Sequence, residues 1–133
     1  MITDPRKESY MTENAEKIVY VSTHAGEDPE RATFPFMMAN AAVAMDVEAV
    51  VVLQGNSVWA AKKGYAEHVH AAGLPPLKKL MDDLLALGGR ILVCTPCIKE
   101  RHIDESDLIE GAKPVAGGAV TQELLTAKAS LCY

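Results

Sequence analysis

Aromatic residues are scarce, at 5% of 133 residues, with one Trp, four Tyr and two Phe. A core must therefore be built from Val, Leu, Ile, Ala and Met. Excess positive charge is also missing. Thirteen Lys and Arg face eighteen Asp and Glu, a net charge of −5, which argues against an open nucleic-acid surface and its basic face. No apolar stretch reaches the roughly 20 residues that span a bilayer. Residues 1–16, MITDPRKESYMTENAE, lack the apolar segment of a signal peptide, and the expected location is cytoplasmic. The chain has no internal repeat, linker, GxGxxG fingerprint or P-loop, so no cofactor is expected. It has three cysteines, two of them three residues apart. An odd number with that spacing fits reduced thiols better than a disulfide framework.

What is present is an ordinary globular composition, 49% hydrophobic and 23% charged. Its length suits one domain, placed here at 17–133 behind a flexible N-terminal arm, 1–16. Strands are expected at 18–23 (IVYVST), 48–53 (EAVVVL), 90–94 (RILVC) and 113–116, with a final edge strand at 131–133. Helices are expected at 29–45, 57–63, 75–87, 95–101 and 119–129. In the first, Phe34, Met37, Met38, Ala41, Ala42 and Met45 follow helical spacing and read as the buried face. Pro35 lies inside it and should kink it. Strands alternating with helices imply right-handed crossovers. The expected fold is α/β: a three-layer sandwich around a mainly parallel, flavodoxin-like sheet of about five strands.

The most informative stretch is RILVCTPCIKERHI, 90–103. Cys94 ends a buried strand, and Thr95-Pro96 reads as a helix start with Thr95 as N-cap and Pro96 at the first helical position. In open α/β sheets, chemistry gathers at the carboxyl ends of strands. Backbone amides there, with Lys99, Arg101 and His102 nearby, would favour a thiolate. Cys97 lies one turn on, in a supporting or packing role. His24 follows the first strand and is placed on the same edge. His68 and His70 are two apart, which does not match a helical metal pair, and no metal is assigned to them.

Three stretches, DPERATFPFMMANAAVAM (28–45), EAVVVL (48–53) with its loop and short helix, and VCTPCIKERHI (93–103) followed by DESDLIEG, resemble the DsrE/DsrF-like family of small sulfur-relay proteins, the TusD and YchN type. The resemblance covers nearly all of 17–133. It implies that Cys94 is the persulfide-carrying cysteine and Arg101 the basic residue closing the next helix, while His102 stands where glycine is common. It also implies a homotrimer or homohexamer with sulfur donor and acceptor proteins as partners, while the charge and the lack of a long apolar stretch leave neither nucleic acid nor membrane as an expected partner. The expected function is persulfide sulfur transfer on Cys94. Three alternatives stay open: thiol–disulfide exchange by the CxxC pair Cys94 and Cys97, a non-catalytic oligomeric ligand-binding module lined by His24, Asn56, Trp59 and Cys94, and a zinc site completed by His24 or His102.

Overall fold

Short runs of β-branched and aliphatic residues pair into one sheet in the computed structural model, which describes residues 16–133; the arm expected at 1–16 falls, apart from Glu16, outside them. The strands are β1 (Lys17–Ser22), β2 (Glu48–Leu53), β3 (Arg90–Cys94), β4 (Ala112–Val115) and β5 (Ala129–Cys132). The helices are α1 (Pro29–Ala44), α2 (Leu77–Ala86), α3 (Thr95–Glu100) and α4 (Gly117–Leu125). Strand order is β4-β3-β2-β1-β5 and every pairing is parallel. Central β2 explains its own sequence: Val50, Val51, Val52 and Leu53 are fully buried, as a strand covered on both faces requires. Each such side chain contributes about 1.5–3 kcal/mol on leaving water.

The layering follows from crossover handedness. The chain steps from β1 through β2 and β3 to β4 in one direction, then returns across the sheet to β5. Right-handed crossovers put the connections of opposite steps on opposite faces. Accordingly Phe36, Ala39, Leu77 and Leu84 of α1 and α2 pack with Tyr20, Val51, Leu53, Ile91 and Val93. Val120 of α4 packs with Val19, Val50, Val52, Leu92 and Val115. The expected three-layer α/β architecture is thus what forms.

One apolar face differs from expectation. In α1 the buried residues are Ala32, Thr33, Pro35, Phe36, Ala39 and Ala42. Met38 and Met45 face outward, the latter 75% exposed. Small side chains let α1 lie close to the sheet and to α2, where Asn40 Nδ2 donates to Leu80 O at 2.9 Å. The Met-bearing stripe, shifted around the helix, is left outside. In α4 only Val120 is buried, and Leu125 is 76% exposed. β5 is exposed along its whole length.

The amino edge of the sheet is locked by charge. Arg90 donates from both terminal nitrogens to Glu123 of α4, at 3.0 and 2.6 Å, and to Glu48 at 2.9 Å. Lys17 lies 3.5 Å from the same Glu123 carboxylate. The opposite, carboxyl edge carries the loops and the thiols.

Candidate functional site

Parallel register lines up the residues that leave the sheet. Ser22 pairs with Leu53, Leu53 with Val93, and Cys94 with Val115. Thr23-His24, Gln54-Gly55, Cys94-Thr95 and Ala116-Gly117 therefore emerge side by side. Cys94 is itself the N-cap residue of α3, with φ −63° and ψ 116°. Thr95 and Pro96 are the first two helical residues, so the helix starts one position earlier than expected and Thr95 is not its cap. Proline is tolerated there because first-turn N–H groups have no intrahelical partner.

Cys94 and Cys97 are both half-buried and free. Their sulfur atoms are 2.7 Å apart, longer than the roughly 2.05 Å of a disulfide bond but closer than two non-bonded thiols rest, so a small side-chain shift separates the pair from bonding. The Gly55 N–H points at Cys97 Sγ from 3.3 Å. Gly55 has φ +56°, a left-handed turn that glycine adopts at little cost, and it is this turn that presents the amide to the sulfur. Arg101, at the end of α3, donates from Nη1 to Cys97 O at 3.2 Å. Lys99 and His102 are exposed.

α3 closes with a left-handed residue. The His102 N–H bonds Lys99 O at 3.1 Å and the Ile103 N–H bonds Ile98 O at 2.9 Å, the paired bonds of a Schellman motif. His102 holds φ +54°, so the imidazole-bearing residue adopts the backbone that a glycine at this place would adopt.

The ionisation expected of Cys94 is not what its surroundings favour. Burial pushes its thiol pKa up, and the hydrogen bond to Cys97 adds to the rise, as does that neighbour's charge. The Cys97 amide and the Arg101 charge act in the opposite direction and are outweighed. The physical reason is that α3 has only six residues, so few peptide dipoles add up behind the sulfur, while desolvation penalises any thiolate.

His24 is on the expected edge but away from the thiols. Its Nδ1 lies 3.1 Å from Thr23 Oγ1, and Thr23 Oγ1 donates to Tyr133 O at 2.7 Å, on the β5 side. β2 lies between β1 and β3, so two strand spacings, about 10 Å, separate the edge positions of His24 and Cys94. His102 sits at the far end of α3 from Cys94. Among the described residues, no group of three or more His, Cys, Asp or Glu is gathered to hold a metal.

Several partners were missed by sequence reading. Glu27 accepts the Ala25 N–H on both oxygens, at 2.9 and 3.0 Å, and Asn56 Nδ2 at 2.6 Å, tying the β1 loop to the β2 loop. Tyr65 OH accepts the Gly26 N–H at 2.8 Å. Trp59 stacks on Tyr65 with ring centroids 6.1 Å apart. Both line a cavity of about 550 Å³ together with Gly26, Lys62, His68 and Val69. Trp59 thus lines a pocket, but His24, Asn56 and Cys94 are not among its walls. The acidic loop HAGED at a strand end was the only signal of the Glu27 tie. The Gly55 contact joins positions 42 apart and left none.

A sequence model of the DsrE/DsrF-like family matches residues 16–133. The chain belongs to the DsrE/DsrF-like family. An uncharacterized protein of Methanocaldococcus jannaschii, MJ0989, is 34% identical over 97 residues, 73% of this chain and 82% of that protein. A second from the same organism, MJ0760, is 28% identical over 108 residues, covering 81% of this chain but 39% of that longer protein. Among solved structures, the ychN protein from E. coli superposes with a TM-score of 0.76 at 21% identity, covering 89% of this chain and 99% of that one. MTH1491 of Methanobacterium thermoautotrophicum, a protein of unknown function, gives 0.69 at 15% identity, with 90% and 99% covered. At those identities the structural likeness speaks to the fold, which this DsrE/DsrF-like chain shares. Among its described residues no helix is long and apolar enough to cross a membrane.

Proposed function

We propose that this DsrE/DsrF-like protein is a sulfur carrier that takes up sulfane sulfur as a persulfide on Cys94 and passes it to an acceptor thiol. The observation that carries the reading is Cys94 at the carboxyl end of β3, half-buried and in contact with a second thiol, in a chain of this family. In uptake, the Cys94 thiolate attacks the outer sulfur of a donor persulfide. A new S–S bond forms, the donor's S–S bond breaks, and the donor leaves as a thiolate that takes up a proton. In delivery, an acceptor thiolate attacks the outer sulfur and Cys94 leaves. The Cys97 amide and Arg101 are the groups that support negative charge at Cys94. Because burial raises its pKa, uptake accelerates as pH rises through and beyond the ordinary thiol range.

The working form is a homotrimer or homohexamer. Met38, Met45, Leu87, Leu125 and Leu131 are exposed in the single chain, and apolar surface of that kind favours association. Donor and acceptor proteins would meet the carboxyl edge, in a reducing, cytoplasmic setting that keeps the thiols free. A second reading, thiol–disulfide exchange by Cys94 and Cys97, is favoured by the same 2.7 Å contact.

Intact-mass measurement after exposure to inorganic polysulfide tests the carrier. With the free, exposed Cys132 replaced by Ser throughout, Cys97→Ser should gain one sulfur atom, mapped to Cys94, and Cys94→Ser should gain none. Equal loading of Cys94→Ser, or no sulfur on Cys97→Ser, rules the carrier out. Disulfide formation without any sulfur addition would leave the exchange reading.

A further inference from the structure

We propose that Cys97 is the resolving thiol of this site: when no acceptor takes the sulfur from Cys94, Cys97 displaces it as sulfide and closes a Cys94–Cys97 disulfide. The inference rests on the persulfide reading and adds a second, sulfide-releasing fate to it.

Geometry carries it. The two sulfur atoms touch at 2.7 Å, so an attack on Cys94 Sγ requires little backbone motion. Cys97 is not held there by packing alone. The Gly55 amide, 3.3 Å from Cys97 Sγ, comes from the neighbouring β2 loop and fixes the position of that sulfur beside Cys94. Arg101 fixes the peptide of Cys97 through its carbonyl at 3.2 Å. A cysteine present only for packing needs neither an amide aimed at its sulfur nor a cation holding its backbone.

The step balances. Cys97 Sγ, giving up its proton, forms a bond to Cys94 Sγ. The bond between Cys94 Sγ and the outer sulfur breaks, and its electron pair leaves on the outer sulfur as hydrosulfide, which carries the proton away as hydrogen sulfide at lower pH. The sulfane sulfur supplied by the donor is the oxidant: it is reduced to sulfide while the two cysteines are oxidised to a disulfide. An external dithiol, acting by thiol–disulfide exchange, returns both cysteines to the reduced state.

The test, again with the exposed Cys132 replaced by Ser throughout, loads the reduced and otherwise wild-type protein, Cys97→Ser and Cys94→Ser with inorganic polysulfide, removes the excess by desalting, and follows released sulfide together with intact mass. Wild type should release one sulfide per chain and end lighter than its reduced form by two hydrogens, with the disulfide mapped to Cys94 and Cys97. Cys97→Ser should keep its sulfur and release it at least about a hundredfold more slowly, because an intramolecular thiol acts at an effective concentration far above that of micromolar protein. Cys97→Ala serves as the second variant if the serine form does not fold. Wild type that retains its sulfur as long as Cys97→Ser does, or releases sulfide without forming the disulfide, overturns the resolving role and leaves the carrier standing. Loading of Cys94→Ser on Cys97 overturns both assignments, and so does failure of every form to load.

Discussion

Replacing His102 by glycine is expected to stabilise the protein, because this residue bears the left-handed backbone that ends α3. Its φ is +54°, and two backbone bonds, from His102 to Lys99 and from Ile103 to Ile98, depend on it. Ile98 and Ile103 are both buried, so the turn also closes an apolar contact and will persist in the variant. An L-residue in this conformation costs about 1–2 kcal/mol. Glycine relieves that cost but gives back about 0.5–1 kcal/mol as greater freedom of the unfolded chain. The difference is a net gain of about 0.5–1 kcal/mol, which for a domain of this size raises Tm by roughly 2–4 °C. Differential scanning calorimetry of the reduced protein measures it. Asp46 supplies the comparison: with φ +60° it ends α1 through the same pair of bonds, from Asp46 to Val43 and from Val47 to Ala42. Aspartate tolerates the left-handed region better than histidine, so Asp46→Gly should gain less. A lower Tm for His102→Gly, or a larger gain at Asp46, would refute the argument and indicate that the imidazole makes a stabilising interaction of its own.

Removing the neighbouring thiol should make Cys94 more reactive. Cys97 raises the Cys94 pKa through its hydrogen bond and charge, so Cys97→Ala should speed alkylation of Cys94 at pH 7, while burial keeps the pKa above the ordinary thiol value; slower alkylation sinks this account. Acid stability should depend on Glu123, whose pKa is lowered chiefly by its hydrogen bond to Arg90, against an opposing effect of burial. A carboxylate with a depressed folded pKa contributes stability above its unfolded value and loses it as pH falls from the usual glutamate range through the folded one. Glu123→Gln should therefore cost about 1 kcal/mol at neutral pH, a figure reduced for the solvent screening of half-exposed Arg90, and should show a shallower loss on acidification. Parallel acid unfolding curves for variant and wild type would contradict it.

The alternation of strands and helices was legible because each run solves a local problem. EAVVVL, with a buried residue at nearly every position, reads as a central parallel strand, and β2 has the expected bounds. The face of α1 was not legible, because two apolar stripes compete. Phe34, Met37, Met38, Ala41 and Met45 form the bulkier one. Ala32, Pro35, Phe36, Ala39 and Ala42 form the smaller one, and close approach to α2 and the sheet selected it. Cys94 was correctly placed at a strand end, but its ionisation was not readable. A helix start is a local feature, whereas desolvation of the sulfur depends on the packed core against which Cys94 lies. His24 shows the same limit. Its edge follows from its place after β1, but its separation from Cys94 requires the strand order.

The raised pKa of Cys94 bears on which fate a bound sulfur would meet. Delivery to an acceptor expels the Cys94 thiolate, and a thiolate of higher pKa is a poorer leaving group. Attack by Cys97 instead expels hydrosulfide, a weaker base than an ordinary alkyl thiolate, and leaves Cys94 bonded. On the proposed mechanism, the surroundings that push the thiol up would disfavour delivery relative to discharge. A productive acceptor would have to reverse that order, and the means lie at the site. Arg101 and the Cys97 amide already pull the pKa down, and burial outweighs them. Docking that brings further N–H donors or cations to the carboxyl edge would stabilise the departing thiolate and shift the balance toward delivery. Sulfur would then leave productively only in the presence of the right surface, with Cys97 clearing what is not collected.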